Sequence, residues 1–274
     1  MRIAAFFDID GTLLAGPTLE RRYLRFLRGR GDVGIIHWGR TALHLPLLLA
    51  RSLREGKSAE WSVLAAENKM YLRGVPCWTM RLFCGWLNRY PLGLFPLGRQ
   101  QVRWHLAQGH RVFLISGAPA PMVRVAAQEF GSEVHGIGTE LVCRAGRWTG
   151  EILGQAMVGP AKARCVQRLA AEHQFDLLSC YAYGDSFADR WLLAQVGQRV
   201  AVNPTRPLQT YAAARNWLQV AWRPSGTRRS EAVNAGNSAA ISAYGWRLAS
   251  LAASPVTQPT LTSGAENVPL RLPE

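Results

Sequence analysis

The chain has 274 residues, enough for one full core and an accessory domain. Apolar residues make up 48% of it, which excludes a wholly disordered protein. Its formal charge of +14 favours anionic partners: phosphorylated substrates, anionic membrane or nucleic acid.

Residues 3–8, Ile-Ala-Ala-Phe-Phe-Asp, predict a buried strand that runs into Asp8-Ile9-Asp10-Gly11-Thr12. From Thr18 the period changes: Leu19, Tyr23, Phe26 and Leu27 fall on one helical stripe, stopped at Gly29 and Gly31. Up to about Pro96 the chain reads as helical, with many arginines and tryptophans and no strand alternation. Its most apolar stretch, Val33 to Leu53, is broken by His37, Arg40, His44 and Arg51 and is a poor membrane span. Packing as a cap helix is the favoured reading, with contact on a membrane surface as the alternative. A helix over 97–108, a strand from Arg111 to Ser116 and a helix over 119–130 then restore an α/β rhythm. Residues 134–152 predict a hairpin turning at Arg144-Ala145-Gly146. Pro160 opens a helix, Cys180 to Tyr183 is a strand, 187–196 is a helix, and Arg199 to Val202 is a last short strand.

This pattern predicts a three-layer α/β, Rossmann-like core with a parallel sheet and a helical cap inserted after the first strand. Residues 1–15 and 97–222 form the core and 16–96 the cap; from 223 to 274 the composition predicts a disordered tail. The five cysteines, Cys77, Cys84, Cys143, Cys165 and Cys180, match no zinc spacing and read as reduced thiols. With no signal peptide before the first strand, a cytoplasmic protein is expected, peripheral to the membrane if 33–53 touches it.

Four polar clusters stand at the predicted strand and helix boundaries. Asp8 and Asp10 are two apart on an extended segment and emerge on one side, as a hard-cation site or a nucleophile and acid/base pair. A plain Asp-Gly turn is the competing reading. Ser116 and the Gly117 amide precede a helix start, a natural oxyanion site. Lys162 stands in a first helical turn, where the macrodipole disfavours a cation and a neighbouring anion resolves the conflict. The lysines of this chain are Lys57, Lys69 and Lys162, which makes that placement more pointed. Asp185 and Asp189 are like charges four apart and repel unless a metal ion or Lys162 stands between them; helix capping is the competing reading.

In this order the clusters resemble the four motifs of the haloacid dehalogenase superfamily of phosphotransfer enzymes. They read as Asp8-Ile9-Asp10-Gly11-Thr12, then Ser116, then Lys162, then Gly184-Asp185-Ser186-Phe187-Ala188-Asp189. A helical insert directly after the first motif is similar to subfamily IB, the phosphoserine-phosphatase-like branch. The resemblance covers about residues 1–222. It implies a phosphomonoesterase with Asp8 as nucleophile and Asp10 as proton shuttle. It also implies Ser116, Gly117 and Lys162 as phosphate ligands. Mg2+ would be held by Asp8, the Asp10 main-chain carbonyl and Asp185, with Asp189 in support.

The implied substrate is a phosphorylated small molecule, with no specific nucleic acid partner and no oligomeric state specified. Phosphoserine phosphatases of the family carry a glutamate about nine residues beyond the nucleophile; here that position is Pro17 and the nearest acid is Glu20. Gly11 and Ala188 depart from the family pattern as well. These departures point to a substrate without an ammonium group. Arg21, Arg22, Arg25, Trp38, Arg40, Arg51, Trp61 and Trp78 of the insert suit instead an anionic substrate with an apolar or ring-bearing part. A lipid-phosphate phosphatase is the alternative activity, and a non-catalytic anion-binding module the alternative class.

Overall fold

The computed structural model describes residues 2–54 and 61–223. Strand β1 (Ala4–Phe7) is followed by helices α1 (Leu19–Gly29), α2 (Ile35–Arg54) and α3 (Trp61–Glu67), a 3-10 turn at Met70–Leu72, and α4 (Trp78–Leu87). The chain returns through α5 (Pro96–Ala107), β2 (Arg111–Pro119), α6 (Ala120–Gln128) and β3 (Val134–Thr139). A hairpin of β4 (Leu141–Arg144) and β5 (Arg147–Ile152) precedes α7 (Pro160–His173) and β6 (Tyr181–Gly184). A 3-10 turn at Phe187–Asp189 then leads into α8 (Arg190–Leu193), β7 (Gln198–Val202), α9 (Arg206–Ala213) and β8 (Leu218–Val220).

Six strands form one parallel sheet in the order β3-β2-β1-β6-β7-β8. Beyond β1 the chain first moves outward through β2 and β3, then returns to β6 on the other side of β1. The strand order therefore reverses between β1 and β6, where parallel sheets place their ligands. Side chains alternate across β1: Phe6 faces an apolar cluster with Cys165, Val166, Leu169, Leu192 and Leu208, while Phe7 faces one with Val102, Met122 and Val123. Helices cover both faces, and the expected three-layer core is the architecture seen.

The structure corrects the sequence reading at several places. Residues 134–139 are not the first arm of the hairpin. They pair in parallel with β2 as the edge of the main sheet, and only 141–152 form the hairpin. Glycine explains the hidden strand: a Cβ on Gly136 or Gly138 would lie 2.5 or 2.6 Å from the α6 backbone, so the strand gives up β-formers to let α6 approach. The chain also continues past β7 into α9 and β8. The tail expected from 223 lies, beyond Arg223, outside the described residues. The boundaries at 16 and 96 do not divide the apolar core: Leu19, Tyr23, Phe83 and Leu87 belong to one buried cluster with Val112 and Leu114.

The expectation of five reduced thiols is also corrected. Cys77 and Cys143 form a disulfide across 66 residues, while Cys84, Cys165 and Cys180 are free. The bond joins the start of α4 to the hairpin. Backbone bonds reinforce that seam, from Gly74 N to Trp148 O (2.8 Å), Trp148 N to Val75 O (2.9 Å) and Cys77 N to Gly146 O (2.8 Å). Cys84 is half-buried, and burial pushes its thiol up to about 11, so it reacts slowly. Denatured, unreduced protein is expected to titrate three thiols, and reduced protein five. Five thiols without reductant would show that the bond is absent.

Candidate active site

The site forms where β1, β2, β6 and α7 end or begin on one side of the sheet. Asp8 follows β1 directly, with its amide donating to Tyr183 O at 2.9 Å, and its side chain is buried. Asp10 lies one turn on. Its Oδ1 accepts from the Leu19 amide at 2.8 Å, at the N-terminus of α1, and its Oδ2 lies 3.5 Å from Ser116 Oγ. A carboxylate is favoured at a helix N-terminus, so α1 fixes the direction in which Asp10 points. Gly11, directly after Asp10, has φ +91°, and a Cβ there would lie 2.4 Å from Asp185 Oδ2. Glycine is required both for the turn and for the approach of Asp185.

Asp185 follows β6, with Thr12 Oγ1 donating to its Oδ1 at 3.2 Å. Lys162, in the first turn of α7, is buried and places Nζ 2.5 Å from Asp8 Oδ1 and 2.7 Å from Asp189 Oδ1. The anion demanded by its position in the helix is thus present twice. The other oxygen of Asp189 accepts from Ser186 N (3.0 Å) and Ser186 Oγ (2.6 Å) in a capping box. Asp189 thus completes the cap of the 3-10 turn and pairs with Lys162, but the second partner of Lys162 is Asp8 and not, as expected, Asp185. Ser116 is buried, and its Oγ accepts from Ala118 N at 3.1 Å; Gly117 O accepts from Thr139 Oγ1 at 2.8 Å.

The electrostatics follow from burying these charges together. Burial raises Asp8 above the ordinary carboxylate range; Lys162 opposes that rise, and Asp189 and Asp10 add to it. Burial also raises Asp10, against the Leu19 amide that lowers it. Asp185 is raised by burial and by its neighbours Asp8 and Asp189. Burial acts against the Lys162 ammonium, but Asp189 and Asp8 outweigh it and hold the lysine protonated. Losing one partner of a buried ion pair costs about 3–5 kcal/mol, so Lys162 is a structural as well as a chemical element.

Asp8, Asp185 and Asp189 each offer a carboxylate oxygen within 4.8 Å of the others. Hard cations bind such sets, and a divalent cation would relieve both the burial and the repulsion from Asp8 and Asp189 that raise Asp185. The Asp10 carboxylate stands outside this group, engaged with Leu19 and Ser116. The donor set fits Mg2+ on Asp8 and Asp185, with Asp189 already satisfied by Lys162 and Ser186.

A cavity of about 190 Å³ opens over the carboxylates. All seven residues expected from the sequence line it: Asp8, Asp10, Ser116, Gly117, Lys162, Asp185 and Asp189. Beyond them the wall includes Thr18, Glu20, Ala66 and Val158. The expected arginine and tryptophan surface is not found there among the described residues. Arg22, for example, donates instead to Pro17 O (2.9 Å) and Leu92 O (2.8 Å), bracing the loop that leads into α1. The side chains of Arg51 and Trp61 lie outside the described residues. What sequence reasoning missed is Glu20 with its partners. Fully buried Lys69 donates to both Glu20 oxygens at 2.7 Å, and the Tyr71 hydroxyl donates to Oε1. The available signal was a lysine at position 69 in a chain that otherwise uses arginine.

Residues 5–194 match the family model of haloacid dehalogenase-like hydrolases. Phosphoserine phosphatase SerB1 of Mycobacterium tuberculosis is 32% identical over 91% of this chain and 80% of its own length. A solved Bordetella pertussis protein of unknown function superposes with a TM-score of 0.61 at 28% identity, covering 80% of this chain and 98% of that one. A substrate-bound phosphoserine phosphatase shares the fold, with a TM-score of 0.53 at 16% identity over 77% of this chain and 90% of that one. The chain belongs to the haloacid dehalogenase-like hydrolase family and is an enzyme of it.

Proposed function

We propose that this chain is a phosphomonoesterase acting on a small organic phosphate through an aspartyl-phosphate on Asp8. The observation that carries the reading is Lys162 bridging Asp8 and Asp189 in the same cavity as Asp10 and Ser116. Mg2+, when held by Asp8, Asp185 and the Asp10 main-chain carbonyl, neutralises charge on the phosphoryl oxygens. Asp8 attacks phosphorus, the phosphorus–ester oxygen bond breaks, and Asp10 gives its proton to the leaving oxygen. Its raised pKa suits it to carry that proton. Asp10 then takes a proton from water, the oxygen attacks phosphorus, and the bond to Asp8 breaks to release phosphate. Ser116, the Gly117 amide and Lys162 hold the equatorial oxygens, where transition-state charge gathers. Residues 16–96 act as the cap that selects the leaving group.

With Asp10→Asn, an aryl phosphate is expected to give a burst of phenol and then turnover slowed by about 10²–10⁴-fold. Steady turnover within about twofold of wild type would exclude Asp10 as the shuttle.

Glu20 bears on the substrate class. It faces the cavity, but its charge is met by Lys69 and Tyr71, so it is not a free anion for a substrate ammonium. The reading this supports is a leaving group that offers neutral hydroxyls or an anion. A lipid phosphate is not favoured, given a cavity of about 190 Å³. Phosphoserine is the second reading, favoured by the name of the mycobacterial relative. In a phosphate-release screen, sugar and polyol phosphates are expected to exceed phosphoserine and phosphoethanolamine by about tenfold or more in kcat/KM. Phosphoserine as the best substrate would overturn the reading of Glu20.

A further inference from the structure

Helix α2 presents an apolar face that nothing in the described fold covers. Ile35, Ile36, Leu43, Leu47 and Leu53 are between 63% and 87% exposed, and Leu49 and Trp38 are exposed beside them. At 100° per residue these side chains, with Ala42, Pro46 and Ala50, occupy one continuous arc of the helix. The opposite arc is the one that packs: Leu48 is buried, Trp38 at the arc's edge stacks on Tyr71 with centroids 6.4 Å apart, and Thr41 O accepts from Asn68 Nδ2 at 2.9 Å. The expectation that 33–53 is ordinary cap packing therefore holds for one face and fails for the other. Large exposed apolar faces mark interaction sites.

Charge indicates the occupant. Residues 33–54 contain no aspartate or glutamate; Arg40, which donates to Arg73 O at 3.1 Å, stands at the edge of the apolar arc, and Arg54 at its C-terminal end. The whole chain carries +14. Two copies of this face brought together would oppose these arginines, which disfavours a second copy of the chain. An anionic bilayer answers both features, since apolar side chains enter the acyl boundary while arginines meet phosphate headgroups. Among the described residues no helix is long and apolar enough to cross a membrane, so α2 would lie in the interface plane. We propose that α2 docks the protein on anionic phospholipid surfaces. The cavity stands close by, because Tyr71, stacked on Trp38 of α2, donates to Glu20 in the cavity wall.

The test is co-sedimentation of the full chain with phosphatidylcholine vesicles with and without phosphatidylglycerol. A Leu43→Glu/Leu47→Glu variant is run in parallel, and aryl-phosphate turnover of both proteins serves as the folding control. Wild type is expected to sediment with the phosphatidylglycerol vesicles, less so as salt rises, and the variant to bind about tenfold or more weakly with unchanged turnover. No sedimentation of wild type would overturn the proposal, whether residues 224–274 or another protein covers the face. Equal binding by the variant would overturn it, as would a wild-type dimer that the variant loses.

Discussion

Two buried carboxylates, Asp8 and Asp189, and a half-buried third, Asp185, stand together beside one ammonium, and the rest of the structure follows from that constraint. Carboxylates so close and so dry repel one another, and burial alone would protonate them. Lys162 holds Asp8 and Asp189 by direct contact, and the capping hydroxyl of Ser186 takes the remaining oxygen of Asp189. Asp185 has Thr12 as its partner and stays the least compensated of the three. The site therefore retains a net need for positive charge, which a magnesium-bound phosphoryl substrate is suited to meet. Sheet topology makes the arrangement reachable: β1 and β6 are neighbours with the same direction, so the residues that follow them meet at one edge.

A second buried lysine repeats the device on the cap side. Lys69 joins Glu20 and thereby ties the 3-10 turn after α3 to the start of α1. At Lys162 the compact ammonium fits between oxygens of two different carboxylates, with no planar fork to accommodate. Among the described residues lysine stands at these two sites, while arginine supplies loop bracing and surface charge. Lys57 lies outside the described residues. The cap is further secured from below, where the Cys77–Cys143 bond and the backbone seam hold the hairpin against α4. Residues 16–96 are thus tied at two points, by the Lys69–Glu20 pair and by the Cys77–Cys143 bond.

That these residues would meet at one sheet edge was legible in the sequence because each part of the edge is local. Asp8 and Asp10 follow an apolar run, Lys162 follows Pro160, and Asp189 follows Ser186 at capping distance. What escaped was non-local or purchased at the expense of local pattern. Glu20 and Lys69 are 49 positions apart and the disulfide spans 66, with no nearby signal to link either pair. Strand β3 was hidden because Gly136 and Gly138 serve the close approach of α6 and weaken the β signature. In α2 the apolar period was read correctly, but period alone does not tell which arc a neighbour will cover.

The central claim is that Asp8 carries the phosphoryl group between the two steps. Its most direct test is rapid acid quench of the enzyme turning over an aryl phosphate with Mg2+, followed by mass analysis of the peptide containing Asp8. The account requires a phosphorylated Asp8 that forms before phosphate is released and is absent from the Asp8→Asn protein. Phosphate release with no label on Asp8, or turnover by Asp8→Asn at the wild-type rate, would contradict it.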